Sequence, residues 1–436
     1  MRADEHRQGV ASVTWTTSTL GDLATQAGGE IRTGPFGTQL HKSDYVDDPA
    51  ATPVVMPKDM ADGKIDPSSV ARVDDEVVER LATHILRAGD IVLGRRGDIG
   101  RRAWTSHAEE GWLCGTGSMR IALNGSEQIR PRYLFYFLGL DQTIGWLQGH
   151  AVGATMSNLS AGVVQQLPVR YPPLVLQDAI VEVLDSLDTL IANNRRRIEI
   201  LEEMARLLYR EWFMHFRFPG HEDVELVDSV LGPIPDGWWV GGFSRLVSEI
   251  SETIAPEDIA DGTPVVGLEH LPRRSTTLCE WGESAGNVGS RRRLFAEGDI
   301  LFGKIRPYFH KVVNAPVSGC SSTDAIVFRS REELFQCRAL AIASSDEFVG
   351  VATATSNGTK MPRANAKILL SHGIPHPTGD IERAFSEAVG PMNALRSVLA
   401  AQNRALREAR DLLLPRLVSG ELDVSELDLD LEAVGA

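Results

Sequence analysis

The sequence predicts an α+β protein built from one module of about 200 residues written twice, each copy closed by a long helix. Three observations carry this. The string Gly89-Asp-Ile-Val-Leu-Gly-Arg95 returns as Gly298-Asp-Ile-Leu-Phe-Gly-Lys304, 209 residues later. A stretch of heptad-spaced apolar residues follows each string. Short apolar runs bounded by Gly and Pro, the pattern of strands, occupy each copy ahead of its heptads.

The repeat keeps its order along the chain. Trp15 and Leu20-Gly-Asp-Leu23 open the first copy, and Pro235-Asp-Gly-Trp-Trp239 with Leu246 opens the second. Pro53-Val-Val55 returns as Pro264-Val-Val266 at an offset of 211, and Gly153-x-x-Met156 as Gly358-x-x-Met361 at 205. An offset that shrinks along the repeat places the extra residues of the first copy in surface loops, where insertions are tolerated. Strands are expected at 53–56, 90–94 and 118–123, and again at 263–268, 299–303 and 325–329, with a short helix at 131–138.

From Ile180, residues at alternating steps of four and three are apolar: Leu184, Leu187, Ile191, Ile198, Leu201, Ala205, Leu208 and Trp212, interrupted once by Asn194. Charged residues such as Glu202 and Arg206 take the outer positions, and Pro172-Pro173 and Pro219-Gly220 bound the stretch. The second copy runs Phe385, Ala388, Met392, Leu395, Leu399, Leu406, Ala409 and Leu413, interrupted by Gln402, and is expected to end near Pro415. A lone helix of this kind leaves an apolar stripe in water, so the two are expected to pair as an antiparallel coiled coil with pseudo-twofold symmetry. The pairing face is then Ile180, Leu184, Leu187, Ile191, Asn194, Ile198, Leu201 and Leu208 against Met392, Leu395, Leu399, Gln402, Leu406 and Leu413. Asn194 and Gln402 either fix the register or lie exposed near a bend. The expected domains are 1–170, a helical spacer at 171–219, a second module at 220–378, and a second spacer with an acidic tail at 379–436.

Hydrophobic residues make up 43% and charged residues 24% of the 436, ordinary globular usage that excludes a disordered or collagen-like chain. The most apolar stretch, 133–140, is far short of the roughly 20 residues a bilayer span needs, so a cytoplasmic protein without membrane association is expected. The four cysteines are scattered with no Cys-x-x-Cys pair, and His215, His221, His372 and His376 have no carboxylates at ligand spacing. Free core thiols, loop histidines and no metal follow. A net charge of −15 speaks against a protein that coats nucleic acid by bulk electrostatics. Positive charge is focused in the strips 87–102 and 291–311, and any contact with DNA would run through them.

Two catalytic motifs are suggested, and both fail. Gly298-x-x-x-x-Gly303-Lys304 resembles a Walker A loop, but Ile305 stands where a Ser or Thr hydroxyl would hold magnesium, and the other copy reads Arg95 in place of the lysine. Tyr171-Pro-Pro-Leu174 resembles the Asn/Asp-Pro-Pro-aromatic motif of adenine methyltransferases, yet Tyr171 has no side-chain amide or carboxylate and Leu174 has no ring to stack on a base. Thr33-Gly-Pro-Phe-Gly-Thr-Gln-Leu-His-Lys-Ser-Asp-Tyr45 is different. Its glycines and proline stiffen a turn that gathers Thr38, Gln39, His41, Lys42 and Ser43, groups suited to phosphates and base edges.

This segment, the twice-written Gly-Asp-Ile turn, two modules each followed by a long helix, and the ending Leu414-Pro-Arg-Leu-Val-Ser-Gly-Glu-Leu-Asp423 resemble the specificity subunit of Type I restriction-modification systems. The resemblance covers nearly the whole chain. It implies two target-recognition domains, each reading one half of a split site on double-stranded DNA, with paired helices setting the distance between halves. It implies no catalytic centre in this chain. Methylation, with S-adenosylmethionine, belongs to two methyltransferase subunits, and cleavage to restriction/translocase subunits. The candidate DNA-binding residues of the first module are Thr33, Gly34, Phe36, Gly37, Thr38, Gln39, His41, Lys42, Ser43, Lys58, Arg95, Arg96 and Arg101. The second module has Ser251-Glu-Thr-Ile-Ala-Pro256 in place of the Gly-Pro-Phe-Gly loop, so the half-sites should differ. Its candidates are Arg273, Arg274, Arg291, Arg292, Lys304, Arg306, Lys360 and Arg363. The competing expectation is a coiled-coil scaffold that assembles proteins without reading DNA, which leaves the donor-rich loop unexplained.

Overall fold

The computed structural model describes residues 14–123, 125–152, 158–284, 289–358 and 360–424, so Gly153-x-x-Met156 and most of the acidic tail lie outside the described residues. The chain divides into two compact units, Met1–Leu187 with Ala409–Ala436, and Asp188–Glu408.

In the first unit, Thr16–Thr19 pairs antiparallel with Pro168–Tyr171 and clasps the two ends of the module together. Glu30–Thr33, Ser118–Ala122, Ile91–Gly94 and Arg102–Trp104 form an antiparallel sheet in that order. A second four-stranded sheet runs Leu113–Cys114, Thr52–Val55, Ala71–Val73 and Tyr45–Val46, its first pair parallel. Side chains on successive strand residues point to opposite faces. Ile91 and Leu93 accordingly enter the main core with Tyr133 and Leu134 of the helix Pro131–Phe137, while Val92 enters a separate cluster with Val55 and Met60.

The second unit repeats this plan. Trp239–Gly242 clasps Gly373–His376, and the antiparallel sheet equivalent to the first is Val247–Ile250, Ala325–Ser330, Ile300–Gly303 and Val312–Asn314. Ile300 and Phe302 face one core and Leu301 the other. The repeated Gly-Asp pair proves to be a turn into the central strand. Gly89 (φ 91) and Gly298 (φ 85) take the left-handed backbone that glycine favours. Asp90 Oδ2 accepts from Arg87 N at 2.8 Å, and Asp299 Oδ2 accepts from Ala296 N at 2.7 Å. The second sheets correspond in their centre: Thr52–Val55 pairs parallel with Leu113–Cys114 and antiparallel with Ala71–Val73, as Pro264–Val266 pairs with Gly319–Ser321 and Gly282–Glu283. The five-stranded sheet of the second unit adds Arg292–Phe295 and Thr253–Ile254 beyond Gly319–Ser321, whereas the first unit adds Tyr45–Val46 beside Ala71–Val73.

The helix Leu174–Tyr209 has 36 residues, starts directly after Pro172-Pro173 and continues into a π-helical turn at Arg210–Met214. At 1.5 Å per residue its length is about 54 Å. The last helix, Gly379–Ser419, has 41 residues. In the second unit the two run antiparallel. Asn403 Nδ2 donates to Ile191 O at 3.3 Å, Ile198 packs with Leu399 and Ala400, Glu202 pairs with Arg396 at 3.2 Å, and Trp212 and Phe213 meet Phe385. In the first unit Ile180, Val183 and Leu184 share a core with Leu414, Leu417 and Val418.

The buried face of the last helix differs from the expected one. Leu399 is buried, but Leu395 and Gln402 are exposed, and Met392, Leu406 and Leu413 are half-buried. The buried positions are Glu382, Phe385, Val389, Arg396, Leu399, Ala400, Asn403, Leu414, Leu417 and Val418. Polar Arg396 and Asn403 hide this face from a hydropathy pattern. On the earlier helix Ile180, Leu184, Ile191, Asn194 and Ile198 are buried, and Leu187, Leu201 and Leu208 are half-buried. Asn194 Nδ2 reaches Gln402 Oε1 only at 3.5 Å, too long for a strong bond. The better-placed polar tie is the one from Asn403 to the Ile191 carbonyl.

Pro415 does not end the helix. A proline in a helix interior costs about 3 kcal/mol relative to alanine. Burying Leu414, Leu417 and Val418 returns about 1.5–3 kcal/mol for each side chain, which outweighs it. The helix runs on to Ser419 and stops at Gly420, whose φ is 77. His376 also departs from expectation, being buried on a strand and stacked on Trp239 at 4.4 Å. Cys114, Cys320 and Cys337 are buried free thiols, and Cys279 is half-buried. Burial pushes the Cys114 thiol up to about 12, so it stays protonated. Among the described residues no helix is long and apolar enough to cross a membrane.

Candidate nucleic-acid interface

The donor-rich loop of the first unit leaves strand Glu30–Thr33 at Gly34, which lies flat against Gly115. A Cβ on Gly34 would stand 2.0 Å from the Gly115 carbonyl oxygen, so no side chain fits there. Gly34 N donates to Ser118 O at 2.9 Å, and Thr116 Oγ1 donates to Pro35 O at 3.0 Å. Phe36 N donates to Gln39 Oε1 at 3.1 Å, while Gln39 N and Leu40 N donate back to Phe36 O. His41 N donates to Asp44 Oδ2 at 2.9 Å, and Arg80 holds the same oxygen at 2.7 Å. The His41 amide and the Arg80 charge hold the Asp44 carboxyl below the usual carboxylate range. The loop is thus fastened through its own backbone. Thr38, Gln39, His41, Lys42 and Ser43 remain exposed, with Phe36 52% exposed among them.

Arg95 follows the strand Ile91–Gly94 and lies under the Phe36 ring, 5.2 Å from its centroid. It is 4% exposed, its Nε has no hydrogen-bond partner, and burial together with the Arg96 charge lowers its pKa. Arg96 Nε reaches Asn158 Oδ1 at 3.4 Å. Asp98 holds Arg101 at 2.7 Å, and Arg101 Nη1 reaches Pro57 O at 3.4 Å, next to the exposed Lys58. The first-module candidates therefore stand on three adjoining loops, 33–43, 57–58 and 95–101.

The second unit builds its basic group differently. Lys304 N donates to Asp324 O at 2.8 Å, Arg363 lies 3.6 Å from the Asp324 carboxylate, and Arg306 N donates to Pro362 O at 2.8 Å. Arg273 and Arg306 lie 4.2 and 5.9 Å from the Phe309 ring centroid. These contacts tie Arg273, Lys304, Arg306 and Arg363 together, with the exposed Lys360 on the Arg363 loop. Arg274 turns elsewhere. It pairs with Asp346 at 3.1 Å and lines a cavity of about 330 Å³ with Glu202, His310 and Arg396. Arg292 begins a strand of the five-stranded sheet and Arg291 stands just before it, its Nη1 reaching Thr253 Oγ1 at 3.4 Å.

The equivalence of the two groups is visible in the backbone. Arg96 and Val152 bridge to Asn158, as Ile305 and Asn357 bridge to Arg363. Lys304 therefore occupies the place of Arg95, 209 residues on.

Sequence reasoning missed two features. Glu202, expected on the solvated flank of its helix, is buried. It accepts from Thr276 N at 2.9 Å, Ser275 Oγ at 2.9 Å and Thr277 Oγ1 at 2.7 Å while pairing with Arg396. That network fastens the segment after Arg273 to both helices within the second unit, and its only sequence signal is the run Ser275-Thr-Thr277. Tyr308, 52% exposed beside Arg306, carries no charge and so gives no signal where basic residues are the guide.

A sequence profile described as the Type I restriction modification DNA specificity domain matches residues 12–203. The specificity subunit of the Type I restriction enzyme MjaIX from Methanocaldococcus jannaschii is 24% identical over 398 residues, covering 86% of this chain and 88% of that protein. The specificity subunit of the EcoDI enzyme from Escherichia coli is 23% identical over 326 residues, covering 67% and 70%. The crystal structure of an S subunit of a Type I restriction-modification system from M. genitalium shares the fold, with a TM-score of 0.57 at 13% identity over 93% of this chain and 96% of that one. The duplicated module, the paired long helices and these relatives agree: the chain is similar to the specificity subunits of Type I restriction-modification systems, and residues 12–203 match their DNA specificity domain.

Proposed function

We propose that this chain is the sequence-reading component of a Type I restriction-modification complex, with one half of a split, asymmetric DNA site read by the first unit and the other by the second. The observation that carries this reading is the fastened 33–43 loop, whose exposed donors stand beside Lys58, Arg95, Arg96 and Arg101. Cations on a fixed frame position a protein on phosphates, and side-chain amides and arginines then read base edges in the major groove. The second unit carries a different basic group, which supports unlike half-sites.

We assign no reaction to this chain. Methylation with S-adenosylmethionine goes to two methyltransferase subunits, cleavage to restriction/translocase subunits, and the complex acts in the cytoplasm on double-stranded DNA. The helix pair sets the spacing between half-sites. With a net charge of −15, the chain by itself should bind DNA weakly and gain affinity on assembly.

The test is co-expression with the cognate methyltransferase in a methylation-free host, followed by single-molecule mapping of methylated adenines. A split, asymmetric motif is expected. A complex that assembles and binds S-adenosylmethionine but marks no motif would refute the reading. Neutral substitution of Lys42, Arg95 and Arg96 together should leave assembly intact. It should also flatten the dependence of log affinity on log salt by up to about 0.9 for each phosphate left without its cation. An unchanged slope in a fluorescence titration would remove these residues from the interface.

A further inference from the structure

The second module lacks the Gly-Pro-Phe-Gly loop, yet it presents an exposed ring beside arginine as the first does. Tyr308 is 52% exposed, the same fraction as Phe36. It rides on the turn Pro307–Phe309, bracketed by two non-glycine residues in left-handed backbone, Arg306 at φ 50 and His310 at φ 53. Side chains adopt that conformation only where the surroundings enforce it, and such enforced segments concentrate at functional sites. Here the anchors are visible. Arg306 N donates to Pro362 O at 2.8 Å, Arg274 N donates to His310 O at 2.9 Å, and the buried His310 imidazole donates from Nε2 to Ser344 O at 2.7 Å. Pro307 is buried beneath the turn, and Phe309 supports Tyr308 edge-on at 4.9 Å. The Arg273 and Arg306 guanidiniums frame the same Phe309 ring.

A single exposed apolar residue needs no explanation. A strained, anchored turn that holds one ring outward among cations does. We propose that Tyr308 makes the apolar base contact of the second half-site, its ring packed against the face or methyl group of a base while Arg273 and Arg306 hold nearby phosphates. Phe36, over Arg95, is its counterpart in the first half-site. This inference rests on the chain being a DNA reader.

The experiment uses the assembled methyltransferase complex with native chain, Tyr308→Ala or Tyr308→Phe. Tyr308→Ala should bind the split site about tenfold more weakly, the size of a single base–aromatic stack. Its salt slope should be unchanged, because no charge is removed, whereas Arg273→Gln should lower the slope. In the methylation map the Tyr308→Ala motif should degrade in one half only, and Tyr308→Phe should restore it. If Tyr308→Ala melts early, Tyr308→Leu, which keeps apolar packing on Phe309, is read in its place. Affinity within twofold of native, a changed salt slope, or degradation of both halves alike would overturn the role of Tyr308. A native complex without preference among duplexes would instead overturn the DNA-reading function itself, so the two failures are distinguishable.

Discussion

Arg338→Leu should lower the stability of the second unit by about 3–5 kcal/mol at pH 7, the cost of leaving a buried carboxylate without its partner. Arg338 and Glu382 are 2% and 3% exposed. Arg338 Nε donates to Glu382 Oε2 at 2.7 Å, Nη1 donates to Pro375 O at 3.2 Å, and Nη2 lies 3.3 Å from His376 Nδ1. Burial raises the pKa of Glu382 and the Arg338 charge opposes the rise, so removing Arg338 raises it further. A carboxyl whose folded pKa lies above its unfolded value contributes stability that is fully present below the unfolded pKa and is lost as pH rises through the folded one. The deficit of the variant should therefore shrink on acidification from pH 7 toward 5.

The native chain should respond in the opposite sense. Burial first, and then the Arg338 charge, push the His376 imidazole down from 6.5 to about 4. Stability present above 6.5 is then lost as pH falls toward 4, on the order of 3 kcal/mol at about 1.4 kcal/mol per pH unit. Denaturant unfolding of native chain and Arg338→Leu at pH 7 and 5 checks both signs. Parallel pH profiles would show that the Arg338–Glu382–His376 group does not set the acid response.

Gly34→Ala should abolish reading of the first half-site while sparing the second. The new Cβ would stand 2.0 Å from Gly115 O, 2.9 Å from Gly115 C and 3.1 Å from Ser118 O, all backbone atoms that cannot rotate aside. The strands must part. Overpacking of this kind costs about 1–3 kcal/mol or more, and the displaced loop takes Phe36, Gln39 and Lys42 with it. Gly145, on the helix Asp141–His150 with nothing within 4 Å of its Cβ position, provides the control: Gly145→Ala should be neutral or slightly stabilising. The methylation map reads the result directly. A Gly34→Ala complex that still marks the complete native motif would show that the loop does not read DNA.

The duplication was legible because a Gly-Asp turn, a clasp strand and a helix entry each need particular residue types, and those types recur at nearly constant offset. Strand positions were legible for the same reason, since Ile91–Gly94 and Ile300–Gly303 are apolar on both faces. The register of the last helix was not. Hydropathy places an apolar residue at each core position, but this pair of helices buries Arg396 against Glu202 and Asn403 against a carbonyl, contacts that are distant in sequence. The donor-rich loop of the first unit could be read because its donors are consecutive. The second basic group is assembled from residues 273, 304–309 and 363, and no local pattern announces that Arg273 and Arg306 meet over Phe309.

The pairing within the second sheets bears on how such proteins acquire new specificities. In each unit this sheet joins strands far apart in the chain, Thr52–Val55 with Leu113–Cys114 in one and Pro264–Val266 and Arg292–Phe295 with Gly319–Ser321 in the other. A hybrid made by grafting 256–296 alone onto the first unit would carry a strand whose native neighbour is missing and would expose an unpaired edge. An exchange cut outside the clasps, at 15 and 172 or at 238 and 377, moves every strand together with its partner. The unit of inheritance, for recombination in nature and for engineering alike, is then the whole cassette between clasps.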